Sequence, residues 1–174
     1  MDLQPKKKPS CFFFKYNDIL IKKEGNKMKL GITSDHRGYN LKEALIKKLN
    51  PEYTIIDYGC STPMSVDYPD YAFKLGKALQ NQEIDFGIAI CGSGIGISIA
   101  CNKVKGIRAA RVVDLEDVKE TRQDNDANII CLKANIPLEE AYQLIKTFVT
   151  LPFSNEERHV RRINKIKEYE DYEC

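Results

Sequence analysis

The sequence predicts a doubly wound α/β domain in three layers: a five-stranded parallel sheet, helices on both of its faces, and a further helix at the C-terminal end. Three observations predict it. Short apolar runs rich in β-branched residues alternate with amphipathic segments from residue 29 to residue 149. The most apolar of these runs, near residue 88, breaks into the glycine-rich turn Gly92-Ser93-Gly94-Ile95-Gly96. From Met28 onward the chain is long enough to bury one core without disulfide or metal staples.

The elements follow from pattern and punctuation. Lys29 to Thr33 reads as a strand, and Tyr39 to Leu49 as a helix with Leu41, Leu45, Ile46 and Leu49 on one face. Thr54 to Tyr58 is a second strand and Tyr71 to Leu79 a helix. Phe86 to Ile90 is short, apolar and bounded by the glycine turn, which makes it a buried strand, and Ile97 to Asn102 forms the first turns of a helix. Ile107 to Val113 is the fourth strand, Leu115 to Thr121 a helix, Asn128 to Leu132 the fifth strand, and Leu138 to Val149 a helix opened by Pro137.

Charge separates the chain into two parts. Residues 1–27 carry seven lysines and three acidic residues, so they hold a balance of +4 and residues 28–174 sum to −2 against a whole-chain +2. The basic excess therefore belongs to the N-terminal extension, and the body gives no reason to expect a nucleic-acid partner. That extension fits either a disordered appendage or an upstream segment with Met28 as the functional start. Cys11 to Phe14 is too short for the apolar region of a signal peptide, and no run approaches the ~18 apolar residues that cross a membrane. Six cysteines stand at irregular spacings without a CxxC pair, beside two histidines. This argues against a zinc site or a disulfide framework and for free thiols in a reducing cytoplasm.

In an open parallel sheet, ligands sit beyond the carboxyl ends of the strands. The residues at those ends are Ser34-Asp35-His36, Gly59 to Tyr71, Cys91 to Gly96, and Asp114. The glycine turn exposes backbone N–H groups that favour an anion, and Cys91 stands at its entrance. A cysteine beside such donors is a candidate base or nucleophile. The competing interpretation is a tight turn with a structural thiol. GSGIG also matches part of a dinucleotide fingerprint, but that fingerprint belongs in the first βα unit of its domain. His36 at the first strand end is suited to donate to phosphate or shuttle a proton. Arg158 and Arg162 are four apart, so their forks share one helix face and can clamp a phosphate, although a solvated basic face has the same pattern.

SDHRGYNLKE, VDYPDYA, CGSGIGISIACNKVKGIRAA, TRQDNDANI and ERHVRRINKI occur in that order from residue 34 to residue 166. Together they resemble the ribose-5-phosphate isomerase B family, which includes galactose-6-phosphate isomerase subunits, over essentially the whole body. The resemblance implies a Rossmann-like fold and an aldose–ketose isomerase of phosphorylated sugars. It implies no metal or organic cofactor, and a homodimer or homotetramer with shared sites. Ribose 5-phosphate and ribulose 5-phosphate are the implied substrate pair. The alternatives are a tetrose 4-phosphate or hexose 6-phosphate enzyme and a non-catalytic phosphate-binding module.

By the same resemblance Cys91 is the base, and Ser93 with the backbone of Gly92, Gly94 and Gly96 holds the oxyanion. Asp35, His36, Tyr68, Arg158 and Arg162 bind sugar hydroxyls and phosphate, and Asn125 reaches the site from the neighbouring subunit. Two positions depart from the pattern. Asp124 stands where relatives carry a histidine that opens the furanose ring, and Asn135 where many carry a phosphate-binding arginine, with Lys133 the nearby cation. A tetrose 4-phosphate cannot close a furanose, so an open-chain substrate tolerates the loss of that histidine. Arg108 and Arg111 read as structural residues of the fourth strand.

Overall fold

The computed structural model describes residues 27–172, so the N-terminal extension expected as residues 1–27 lies almost wholly outside the described residues. Five strands, β1 (Lys29–Ser34), β2 (Thr54–Asp57), β3 (Phe86–Cys91), β4 (Ala109–Arg111) and β5 (Ile129–Lys133), form one parallel sheet in the order β2-β1-β3-β5-β4. The helices are α1 (Tyr39–Leu49), α2 (Tyr68–Gln80), α3 (Ile95–Cys101), α4 (Leu115–Asn125), α5 (Leu138–Thr150) and α6 (Glu157–Tyr172).

Side-chain alternation along the central strands divides the core in two. Phe86, Ile88 and Ile90 of β3, with Leu30, Ile32, Ile130 and Leu132, face Leu41 and Leu45 of α1, Val118 of α4 and Leu144 and Phe148 of α5. Ala89 and Cys91 point the other way, with Ile129 and Cys131, onto Ala72 and Leu75 of α2 and Ile97 and Cys101 of α3. Cys91 thus belongs to the smaller of the two buried clusters.

The predicted elements are all present, with shifted ends. α2 begins three residues earlier than its apolar pattern, at Tyr68, because Pro69 pre-sets the first helical turn. The fourth strand is only three residues long, since Asn102 takes the Ala109 backbone in both directions and Gly106 turns at φ +81° just before it. α4 runs on to Asn125, past the expected Thr121. The buried Arg122 explains the extension: its guanidinium stacks on Phe86 and Phe148, 5.0 and 5.4 Å from the ring centroids, and donates to the Ala127 and Leu151 carbonyls and to Asp126. The last turn of α4 is thereby fixed to the start of β5 and the end of α5.

A second buried cation ties α1 to β2. Lys42 has no exposed side-chain surface, and its ammonium reaches Asp57 at 2.5 Å and Glu43 at 2.7 Å. Burial alone would lower its pKa, but the hydrogen bonds to Asp57 and Glu43 and their charges outweigh that and hold it above the ordinary lysine range. A folded-state pKa above the unfolded value gives stability that is complete below the unfolded pKa of ~10.4 and lost as pH rises through the folded value. Both carboxylates are partly solvated, so Lys42→Met is expected to cost only about 1–2 kcal/mol. In urea titrations the gap between parent and variant should stay constant from neutral pH to about pH 10 and close above it.

Candidate active site

The carboxyl ends of β1 and β3 carry the first half of the site. β3 delivers Cys91, 4% exposed, into the glycine turn. The Gly94 N–H donates to the Cys91 Sγ at 3.2 Å, and the Ile95 N–H donates to the Ser93 Oγ at 3.2 Å. The N–H groups of Gly92, Ser93 and Gly96 have no acceptor among the described residues. Gly94 adopts φ +76°, and a Cβ there would lie 3.0 Å from the Leu132 carbonyl carbon, so the turn needs glycine for both conformation and space. The expectation that Gly94 holds an oxyanion meets a different geometry, because its N–H is already directed at the thiol.

The surrounding turns close over this loop. Asp35 accepts from the Arg37 and Gly38 N–H groups through one oxygen, which shapes the entrance of α1. His36 lies beside Val66, its Nδ1 3.2 Å from the Val66 N–H and 3.3 Å from the Val66 carbonyl, so Nδ1 either accepts from the one or donates to the other, according to the tautomer. Tyr68, at the start of α2, lays its ring against Gly96, where an added Cβ would come within 2.8 Å of it. Arg37 covers Gly92 in the same way, its guanidinium 2.8–2.9 Å from where a Cβ would stand. Nothing in the local pattern marks Arg37 for this contact, although it lies between His36 and Gly38 in the SDHRGYNLKE motif.

One further position differs from expectation. Arg111 is not confined to the fourth strand: its Nε donates to the Ser93 carbonyl at 2.9 Å. Arg108 keeps a structural role, binding the Asn125 and Asp126 carbonyls and the Asp126 carboxylate. Lys133 is the β5 partner of Cys91 in the sheet register, and Asn135 is exposed two residues beyond, so both stand at the same end as the thiol. Cys131 lies in the layer behind the loop; burial above all, then its hydrogen bond to Cys101 and the charges of Cys101 and Cys91, pushes its thiol well up. Cys60, Cys91, Cys101 and Cys131 are free and buried.

The remaining candidate residues lie at the other end of the sheet. α4, capped by Asp114 after β4, runs back to Asp124 and Asn125, with three residues between Asn125 and the start of β5. The Ser154 N–H donates to the Gln123 carbonyl, which brings the start of α6 to the same place. At its far end, α6 is held by the loop before β4 through Gly106 to Glu170 and Lys105 to Asp171. Arg158 and Arg162 are exposed on α6, with Arg158 paired to Glu156 at 2.9 Å. His159 is 3% exposed; its Nε2 lies 3.6 Å from the Asp124 carboxylate and 3.8 Å from Glu156, too far for a hydrogen bond to either. The chain therefore brings Asp35, His36, Tyr68 and Cys91 to Gly96 together, and does not bring Asp124, Asn125, Arg158 or Arg162 to them.

The turn at Gly94 supplies a direct test of this geometry. Gly94→Ala is expected to lower stability by about 1–3 kcal/mol, read as a shifted urea midpoint, because an L residue is forced into a left-handed conformation against a carbonyl.

Comparison with known proteins matches residues 30–166 to the Ribose/Galactose Isomerase family model. The chain is 45% identical over 148 residues to YwlF of Bacillus subtilis, which bears a provisional name as a sugar phosphate isomerase; the match covers 83% of this chain and 98% of that one. It is 33% identical over 148 residues, 82% of this chain and 97% of the other, to D-erythrulose-4-phosphate isomerase 2 of Mycolicibacterium smegmatis. The structure of ribose-5-phosphate isomerase B from Clostridium thermocellum superposes with a TM-score of 0.81 at 43% identity, covering 84% of this chain and all of that one. The glycine turn, the strand-end motifs and this match along nearly the whole body lead to one conclusion: the chain belongs to the Ribose/Galactose Isomerase family of sugar-phosphate isomerases.

Proposed function

We propose that this chain interconverts ribose 5-phosphate and ribulose 5-phosphate through a cis-enediolate, with Cys91 as the base. The observation that carries the reading is the placement of the Cys91 thiol, accepting from the Gly94 N–H, beside the unengaged N–H groups of Gly92, Ser93 and Gly96. Moving a proton next to a carbonyl requires a base on one face of the carbon and fixed donors aimed at the oxygen that becomes negative. In the forward direction the Cys91 thiolate takes the C2 proton, the C1 carbonyl becomes an enediolate oxygen held by the loop, and the thiol returns a proton to C1. The O2 hydroxyl proton passes to O1, leaving a carbonyl at C2. Asp35, His36 and Tyr68 hold the sugar hydroxyls, and Arg158 and Arg162 hold the phosphate.

Because those arginines and Asn125 sit at the opposite end of the sheet from Cys91, the complete site is formed by two copies of the chain, each lending its second half to the other. The free thiols of Cys60, Cys91, Cys101 and Cys131 support placing the reaction in a reducing cytoplasm. Asp124 supports a second reading. A carboxylate replaces the ring-opening histidine, a tetrose 4-phosphate needs no ring opening, and a relative at 33% identity is named for erythrulose 4-phosphate. In the ribose reading Asp124, with His159 behind it, opens the ring.

Turnover of ribose 5-phosphate and erythrose 4-phosphate, measured side by side, tests both. The proposal expects the larger kcat/KM on ribose 5-phosphate and a drop of about 10²–10⁴-fold in kcat for Cys91→Ala with substrate binding retained. Turnover of the tetrose alone would select the second reading. Binding without any Cys91-dependent turnover would reduce the chain to a phosphate-binding module.

A further inference from the structure

One peptide unit joins Arg111 to the thiol. The carbonyl of the Ser93–Gly94 peptide accepts from the Arg111 Nε at 2.9 Å, and the N–H of the same peptide donates to the Cys91 Sγ at 3.2 Å. A cation at the oxygen end withdraws electron density from the amide and strengthens its N–H as a donor. It also fixes the peptide plane, so the N–H keeps its aim on the sulfur. Arg111 reaches the loop from β4, the short edge strand, by way of a planar fork that a lysine cannot reproduce. We propose that Arg111 is a positioning residue for the isomerisation, acting on the Cys91 thiolate through the Ser93–Gly94 peptide. This rests on Cys91 being the base.

The other groups around the thiol do not duplicate this link. Arg37 covers Gly92 from the β1–α1 turn, Lys133 pairs with Cys91 in the register of β5, and Tyr68 from α2 lies on Gly96. From α3 and β5, Cys101 and Cys131 share the buried layer with Cys91. Arg111 alone among these has a hydrogen bond to the peptide whose N–H engages the sulfur.

The test is the pH dependence of thiolate absorbance at 240 nm, taken as the difference between each protein and its own Cys91→Ala partner so that the other thiols cancel. Removing the cation and the bond with Arg111→Leu is expected to move the onset of Cys91 thiolate absorbance up by about one pH unit. The acid limb of the kcat profile should move by the same amount, with KM changed less than about twofold. Arg111→Lys keeps the charge and loses the fixed fork, and should show a smaller shift; it also serves as the readout if the leucine variant does not fold. An unchanged thiolate onset in a folded variant overturns the proposal, whether or not activity falls, and a rise in KM alone would place Arg111 on the substrate instead. The thiolate readout is independent of turnover, so failure of the cysteine-base reading shows separately, as full activity in Cys91→Ala.

Discussion

The hydrogen bond from the Gly94 N–H to the Cys91 Sγ is the constraint on which the site depends. It exists because β3 ends in a cysteine and the chain then reverses through a left-handed residue pressed on the Leu132 carbonyl. Every neighbour is arranged around that reversal. The rings and guanidinium that cover the loop, Tyr68 on Gly96 and Arg37 on Gly92, approach only because no Cβ stands in their way. The result is a thiol in contact with a donor and walled from bulk water, adjoining backbone N–H groups that remain for a ligand.

A parallel sheet imposes the second constraint. Each connecting helix returns the chain from the carboxyl end of one strand to the amino end of the next, so a residue late in a helix lies far from the residues at the carboxyl ends of the strands. Asp124 and Asn125 are late in α4, while Cys91 and Asp35 are at carboxyl ends of strands. Arg122, buried between Phe86 and Phe148, makes that separation rigid. The two halves of the proposed site are thus kept apart in one chain by the same topology that builds each of them, which makes association of two copies part of the proposed catalysis.

The sequence made much of this legible. Apolar runs and glycine punctuation were enough to place five strands and their helices, and the strand-end rule pointed to Asp35, His36 and Cys91. Element ends were less legible, because Arg122 and Asn102 act through tertiary contacts that no local pattern records. Arg111 read as an ordinary strand residue because only the pairing of β4 beside β5 brings it to the Ser93 carbonyl. The closeness of His159 to Asp124 is equally hidden, since 34 residues, the whole of β5 and α5 among them, lie between the two in the chain. The opposite placement of Asp124 and Cys91 follows from helix direction in a parallel sheet, a consequence available from the predicted topology without any side-chain contact.

The claim that two copies complete each other's site is tested most directly by complementation. Cys91→Ala retains the second half of the site and Arg158→Ala/Arg162→Ala retains the first, so each variant alone should be nearly inactive. Co-expressed, they assemble at random, half of the dimers are mixed, and each mixed dimer holds one intact site of two. The account predicts recovery of about a quarter of parental activity in the mixture. Activity that stays at the level of the separate variants would contradict it and place both halves of the site within one chain.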